Sequence, residues 1–436
     1  MQHHIQQLVA PLGITELTEI QKEVLEQYVN YDEIVLYAPT GTGKTLAFLL
    51  PLVEQLRQEN QASGTRALIL SPTRELATQI ESVFKSLKTE FSITACYGGH
   101  SLNVETNNLL AQPTVVVATP GRLVDHLERQ NLSLSEVRYF VVDEFDKCLE
   151  MGFHEEIAHI YGETRDLKKL FFGSATKLEN FPVFIKLINP IYIDKTQQDQ
   201  QPDIDFFSVK TLGDKLRTVQ LLATQFQNER CINFCNFREN VDQIASFFRE
   251  QKMVVAAYHG GLDQDDRERA LIKFKNNSAP ILVCTDIGSR GLDIPEVMHI
   301  VHYQQPDKMD AFIHRNGRTA RMTQNGNAYL FQEDHAKAKF DLPKTQPFTI
   351  DTTATYTAPN WATLYFSAGK KNKVSKIDLL GFLCQKGELE KSEVGVIVVR
   401  DFTSYASVKT NNTNKLLAKL REHKVKGKKL KMEVAW

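Results

Sequence analysis

The chain has 436 residues, 42% hydrophobic and 24% charged, with a net charge of -1. That length allows two or three domains with real cores, which excludes a disordered chain, and the near-zero charge by itself indicates no particular partner. The charge is unevenly spread: residues 361–436 hold 16 Lys+Arg against 7 Asp+Glu, a net of +9, which leaves -10 on the rest. A basic segment of domain size on an acidic body fits a nucleic-acid contact, and equally a solvated lysine-rich face. The six cysteines are scattered through mostly apolar runs, and Cys231 and Cys235 have no second pair at a zinc spacing, so they read as core thiols of a reducing compartment. No signal-peptide pattern opens the chain and no apolar run reaches the ~18 residues of a membrane span, so the expected location is cytoplasmic, with no membrane partner.

In chain order, β-branched runs alternate with helical stretches. The first series reads "EIVLYA" (33–38), "ALILS" (67–71), "TVVVAT" (114–119), "YFVVDE" (139–144) and "LFFGSAT" (170–176). A polar, Gln-rich stretch (194–205) reads as a linker. A second series follows: "CINFCN" (231–236), "VVAAYHG" (254–260), "ILVCTD" (281–286), "HIVHYQ" (299–304) and "NAYLFQ" (327–332). A second irregular stretch (342–360) then leads into the basic segment. Strands alternating with helices imply parallel sheets covered on both faces. The expected organisation is two tandem α/β parallel-sheet domains, 1–195 and 204–342, and a small α+β domain, 361–436. The last is expected to hang from its irregular connection as a tethered module.

Two motifs carry chemistry. "APTGTGKT" (38–45) lies between a strand and a helix. Its Thr40, Gly41, Thr42 and Gly43 form a loop whose N–H groups can face phosphate oxygens; Lys44 reaches the outer phosphates and the Thr45 hydroxyl a magnesium ion. "VVDEFDKCLEMGF" (141–153) ends an apolar strand on carboxylates. Asp143 is expected to hold Mg2+ and Glu144 to orient and deprotonate an attacking water.

With these motifs the chain resembles the DEAD-box ATP-dependent RNA helicases over residues 13–335. "GITELTEIQ" (13–21) resembles the adenine-reading motif, with Thr18 and Gln21 in the matching places. "PTRELA" (72–77), Gly98–Gly99 and "TPGR" (119–122) resemble the RNA-contacting segments of the first domain, and "SAT" (174–176) the segment that couples hydrolysis to RNA. "HGGLDQDDRERAL" (259–271), "TDIGSRGLD" (285–293) and "HRNGRTAR" (314–321) match the signatures of the second. The resemblance implies RecA-like domains, ATP as nucleotide, and RNA contacts through Arg74, Gly99, Thr119, Arg122 and Thr285. It also implies arginine fingers at Arg318 and Arg321, a ribose contact at Asp293, and coupling through Asp146, Ser174, Thr176 and His314. Phe145 stands where the family's name motif has alanine, and reads as a packing variation that leaves the chemistry alone.

Residues 361–436 resemble the small RNA-binding domain of DbpA-type bacterial helicases, with an RNA-recognition-motif-like strand–helix–strand–strand–helix–strand layout. The strand "GVIVVRDF" (395–402) is nearly all aliphatic, so base stacking on the sheet is expected to be weak. Contact is expected through Lys370, Lys371, Lys373 and the 424–431 run. The combined expectation is a monomeric, RNA-stimulated ATPase that remodels short RNA duplexes, with structured ribosomal RNA as the target the tail's resemblance implies. Two rivals are a DNA translocase on the same core, which Gln21, "PTRELA" and "HRNGRTAR" argue against, and a non-catalytic RNA clamp, which the intact Lys44, Glu144 and Arg318 argue against.

Overall fold

The computed structural model describes residues 2–39, 41–59, 64–99, 101–178, 180–196, 204–288, 297–319, 325–332, 340–409 and 412–435. The chain divides into two compact units, with the main boundary between Gln201 and Pro202.

In the first unit, β1 (Glu33–Tyr37), β2 (Ala67–Leu70), β3 (Ile93–Cys96), β4 (Val115–Ala118), β5 (Tyr139–Val142), β6 (Lys169–Ser174) and β7 (Ile191–Asp194) form one sheet. Its order is β3-β4-β2-β5-β6-β1-β7, parallel throughout. Alternate residues of each strand feed two cores. Ile34, Leu36, Ile69, Val117 and Val141 enter one, and Val35, Tyr37, Leu70, Ala118 and Val142 the other. Helices cover both faces, so the strands read as unbroken apolar runs rather than alternating ones. Because the strands are parallel, all their carboxyl ends lie along one edge, where polar loops can gather without entering a core.

The second unit holds β8 (Ile204–Val209), β9 (Cys231–Phe234), β10 (Val255–Tyr258), β11 (Ile281–Cys284), β12 (His299–His302), β13 (Gly326–Phe331) and β14 (Gln346–Phe348). They form a second parallel sheet in the order β10-β11-β9-β12-β13-β8-β14. A small antiparallel sheet follows, β16 (Val394–Val399), β17 (Ser404–Lys409), β15 (Trp361–Phe366) and β18 (Met432–Val434) in spatial order. The helices Lys376–Lys386 and Thr413–Arg421 pack on one of its faces through Leu379, Leu383, Leu416 and Leu420 against Leu364, Phe366, Ala406 and Val408.

Of the two stretches that read as linkers, 194–205 lies between strands: Asp194 ends β7, Ile204 and Asp205 open β8, and 197–203 lie outside the described residues. The 342–360 stretch contains the edge strand Gln346–Phe348, which pairs with β8 as the edge strand Ile191–Asp194 pairs with β1. The 342–360 stretch is tied down further. Ile350 and Tyr356 pack on the core of the second sheet, and the Tyr356 hydroxyl accepts from the Val254 N–H at 3.0 Å. Strands of three or four residues that are only partly buried lack the apolar run that marks a strand in sequence.

The small domain is not a free tether. Its open sheet face lies on the helix Gln264–Lys275 and the turn after it. Tyr405 and Ala435 are buried with Ile272, with Tyr365 and Val398 around them. The Ser278 and Thr363 hydroxyls are 2.6 Å apart, and the Ser407 hydroxyl donates to the Asn276 carbonyl at 3.3 Å. Arg400 reaches Asp265 at 3.3 Å and also pairs with Glu268. An apolar patch rimmed by hydrogen bonds and ion pairs is the anatomy of a specific interface. Ile272→Asp would place a charge in the apolar patch and should release the small domain. Tyr405, 2% exposed, should resist nitration by tetranitromethane in the parent and become reactive in the variant. Nitration of Tyr405 in the parent as fast as at an exposed tyrosine would contradict the docking.

Candidate active site and nucleic-acid interface

The carboxyl end of β1 runs into the Ala38–Gly43 loop and the helix Lys44–Gln58. Gly41 and Gly43 have φ of +88° and +90°, where a side chain is strained. Gly43 is also sterically required: a Cβ there would lie 2.5 Å from Gln21 Nε2. Gln21 donates from Nε2 to the Gly43 carbonyl at 3.3 Å, while its Oε1 accepts from the Thr18 N–H at 3.0 Å. Thr18 and Gln21 thus cap the helix Glu19–Asn30 and brace the phosphate loop at once. Lys44 is 7% exposed, its Nζ folded back onto the Ala38 and Pro39 carbonyls at 2.5 and 2.9 Å. Thr45 follows in the first turn.

Two strands away, β5 delivers Asp143, Glu144 and Asp146 to the same sheet edge, all buried. Asp143 Oδ1 accepts from the Glu144 N–H at 3.0 Å, and Glu144 turns the chain with φ +47° into the helix Phe145–Glu150. A non-glycine residue held there is strained, a common feature of functional sites. Burial pushes the Asp143 carboxyl up to about 7; the neighbouring Glu144 charge adds to this, while Lys44 and the Glu144 N–H oppose it. Three buried carboxylates beside a single ammonium leave excess negative charge, which a divalent cation would offset. The donor set, hard oxygens with a following hydroxyl at Thr45, suits magnesium. Gly173 on β6 leaves room for Asp143, since a Cβ there would sit 3.1 Å from Oδ1. Asp146 Oδ2 accepts from the Thr176 hydroxyl at 2.9 Å, and the Ser174 hydroxyl donates to the Thr176 carbonyl at 2.5 Å. The three coupling residues read from sequence in this unit are therefore in one chain of contacts.

Phe145 is fully buried. Its ring lies 5.0 Å from Phe172 and 5.5 Å from Phe181, which are 5.4 Å from each other. Its side chain therefore belongs to the core beneath the carboxylates, as a third member of an aromatic cluster.

The other half of the sheet edge carries the RNA-type segments. Arg74 follows β2 at the start of the helix Arg74–Ser86, and a Cβ at Gly99 would run into its guanidinium. Thr119 follows β4 and precedes the helix Pro120–Glu128, which bears Arg122. Sequence reading missed what aims Arg122. Glu105, fully buried, accepts from Arg122 Nε at 2.7 Å and from the Tyr97 N–H at 3.0 Å, and pairs with His126 Nε2 at 2.9 Å. Burial pushes the Glu105 carboxyl up, but the hydrogen bonds from His126, Tyr97 and Arg122 outweigh it and hold it below the usual range. Cys96 completes a cluster with metal-ligating side chains. Burial pushes its thiol up to about 12, so it keeps its proton, and Arg122 already supplies the positive charge; the cluster is an ion-pair network.

In the second unit Thr285 and Asp286 follow β11, and the helix Met309–Asn316 carries His314. His314 and Arg318 are buried, at 2% and 4% exposure. Thr40, Asp293 and Arg321 lie outside the described residues. Arg315, not singled out from sequence, is fully buried. It donates from Nε to Asp286 at 2.5 Å, and from Nη1 and Nη2 to the Gln304 carbonyl and Asn236 Oδ1, both at 2.8 Å. One guanidinium thus fixes the loops after β9, β11 and β12, the second of which carries Thr285.

In the small domain Lys370, Lys371 and Lys373 are exposed. The 424–431 run meets them where Lys426 Nζ donates to the Lys373 carbonyl at 2.9 Å. The two lysine groups form one surface, apart from the docked sheet face.

Residues 18–181 match the DEAD/DEAH box helicase family, 214–323 the helicase conserved C-terminal domain and 363–434 the DbpA RNA-binding domain. The ATP-dependent RNA helicase DbpA of Escherichia coli (strain K12) is 31% identical over 434 residues, covering 96% of this chain and 94% of that protein. This chain belongs to the DEAD-box ATP-dependent RNA helicases. The Bacillus subtilis (strain 168) protein of the same name is 28% identical, over 99% of this chain and 98% of that one. Among solved structures, the DEAD-box helicase Mss116 bound to ssRNA and UDP-BeF matches with a TM-score of 0.70 at 25% identity, covering 80% of this chain and 78% of that one. The two parallel-sheet units are RecA-like, and the activity is RNA-stimulated ATP hydrolysis. No helix among the described residues is long and apolar enough to cross a membrane.

Phe145→Ala restores the DEAD-box family's usual letter but opens a cavity between Phe172 and Phe181. It should cost about 3–5 kcal/mol of stability, read from the urea midpoint of the first unfolding transition. ATP turnover per folded molecule should stay within a few-fold, because the ring meets neither metal nor water. An unchanged midpoint, or turnover that appears only in the alanine variant, would contradict this assignment.

Proposed function

We propose that this helicase hydrolyses ATP with Mg2+ in the first unit and uses the cycle to open short duplexes in structured ribosomal RNA. The observation that carries the hydrolytic part is the meeting of Lys44 with the buried Asp143, Glu144 and Asp146 at one sheet edge. Gln21 and Thr18 read the adenine, and the Thr40–Thr45 loop cradles the phosphates. Lys44 then leaves the Ala38 and Pro39 carbonyls for the outer phosphates. Thr45 and Asp143 would hold magnesium, which supplies charge neutralisation at the phosphates. Glu144 takes the proton of the attacking water. Arg318 and Arg321 neutralise the departing phosphate, a contribution of ~10³–10⁵ in rate, or about 4–7 kcal/mol. Because these arginines belong to the second unit, hydrolysis requires the units to come together. Asp293 contacts the ribose.

Arg74, Gly99, Thr119, Arg122 and Thr285 bind the RNA backbone, which positions a strand without reading its sequence. Asp146, Ser174, Thr176 and His314 pass the RNA state to the nucleotide. Choice of RNA falls to Lys370, Lys371 and Lys373 in the DbpA-type domain. The ribosomal target rests on that domain's resemblance. A reducing cytoplasm suits five buried free thiols. A monomer suits a small domain whose sheet face is covered by its own chain.

Lys44→Ala should abolish turnover, and Glu144→Gln should bind ATP without turning it over; normal steady-state hydrolysis by Glu144→Gln would remove the base from Glu144. Protons compete with magnesium for Asp143, so the Mg2+ concentration for half-maximal turnover should rise as pH falls below about 7. A pH-independent magnesium requirement would argue against Asp143 as ligand. Replacing Lys370, Lys371 and Lys373 by alanine should raise the ribosomal RNA concentration for half-stimulation, with little change on a homopolymer. Equal curves on both RNAs would leave those lysines as a solubility feature.

A further inference from the structure

The helix Gln264–Lys275 carries charge of opposite sign on two adjacent faces. Asp265 and Glu268 face the small domain and are taken by Arg400. Asp266, Arg269 and Lys273 line a cavity of about 200 Å³, whose opposite wall is Arg249 and the edge strand β10 from Val255 to Ala257. Within it three cations meet one carboxylate. Asp266 lies 3.4 Å from Arg269 and is matched there. Among the described residues no hydrogen bond or ion pair holds the Arg249 or Lys273 side chain. Burial, and then the charges of Arg249 and Arg269, push the Lys273 ammonium down to about 8. Gathering like charges in a partly dry cavity is unfavourable unless an anion joins them.

We propose that this cavity is a phosphate site that receives a backbone phosphate of the RNA held by the small domain. The Arg249 guanidinium and the Lys273 ammonium, lining one cavity, suit an oxyanion with several acceptor oxygens. The RNA backbone, rather than a free anion, is indicated by continuity. The Lys370 and Lys371 N–H groups donate to the Arg400 and Asp401 carbonyls at 2.8 and 2.9 Å. Arg400 in turn grips Asp265 and Glu268, one residue from Asp266 and Arg269 on the same helix. Arg400 thus joins the lysine loop to the helix that lines the cavity, so a strand that follows this helix would reach both. This inference rests on the RNA-binding role of those lysines.

The test is anisotropy of a fluorescein-labelled stem–loop RNA with a single-stranded extension, bound by the full chain over a KCl series. The double variant Arg249→Gln, Lys273→Gln is compared with the parent and with the charge-keeping pair Arg249→Lys, Lys273→Arg. The site predicts about tenfold weaker binding by the neutral pair and a salt slope shallower by about 0.7–1, with near-parent behaviour for the charge-keeping pair. Basal ATP turnover without RNA should match in all three, which reports intact folding. Parent-like affinity and slope in the neutral pair would overturn the site while leaving RNA binding by the small domain intact. A parent that binds no RNA would remove both readings. Binding of inorganic phosphate measured by calorimetry, present in the parent and lost in the neutral pair while its RNA affinity is unchanged, would assign the cavity to a free anion and overturn the RNA assignment.

Discussion

The first unit is organised around the burial of three carboxylates where β5 ends. Such charges are tolerated away from water only when counter-charge and hydrogen bonds meet them. Each neighbouring element supplies part of that. The phosphate loop brings Lys44, β6 supplies a glycine that leaves room for Asp143, and the Ser174–Thr176 turn caps Asp146. The Asp143 carboxyl still stands well above its usual range. The compensation is therefore incomplete in the protein alone. A metal-bound triphosphate would complete it, so the same deficit that strains the site makes it receptive.

The parallel sheet turns this local constraint into function. Its order places the phosphate-loop and carboxylate segments after β1, β5 and β6, and Arg74, Gly99 and Thr119 after β2, β3 and β4, along one continuous edge. Asp146 and Thr176 lie on the half proposed for nucleotide, and Arg122 is held by the Glu105–His126 network on the half proposed for RNA. The second unit repeats the plan, with Arg315 locking three strand ends. The small domain is fixed to the second parallel sheet by its own sheet face, so whatever it binds is carried with that sheet.

The two parallel sheets were legible because fully buried strands leave apolar runs, and the nucleotide motifs because phosphate chemistry fixes residue types at fixed spacing. Edge strands such as Ile191–Asp194 and Gln346–Phe348 were not, since half-exposed segments of three or four residues resemble loops. Arg315 and Glu105 were missed because their partners come from other loops and helices, and a sequence shows a charge without showing its burial. Phe145 was read as a packing residue and is buried in the core, but its cluster with Phe172 and Phe181 depends on residues 27 and 36 positions away. The docking of the small domain left no sequence signal at all. Tyr365 and Tyr405 alternate with core residues as any exposed sheet face would.

The most direct measurement is steady-state phosphate release by the unmodified protein with ATP and magnesium, alone, with RNA and with single-stranded DNA of the same sequence. A site completed by nucleotide and coupled to the RNA half of the sheet edge predicts slow release alone, a large increase with RNA and little with DNA. Equal stimulation by DNA, or no release under any condition, would contradict it.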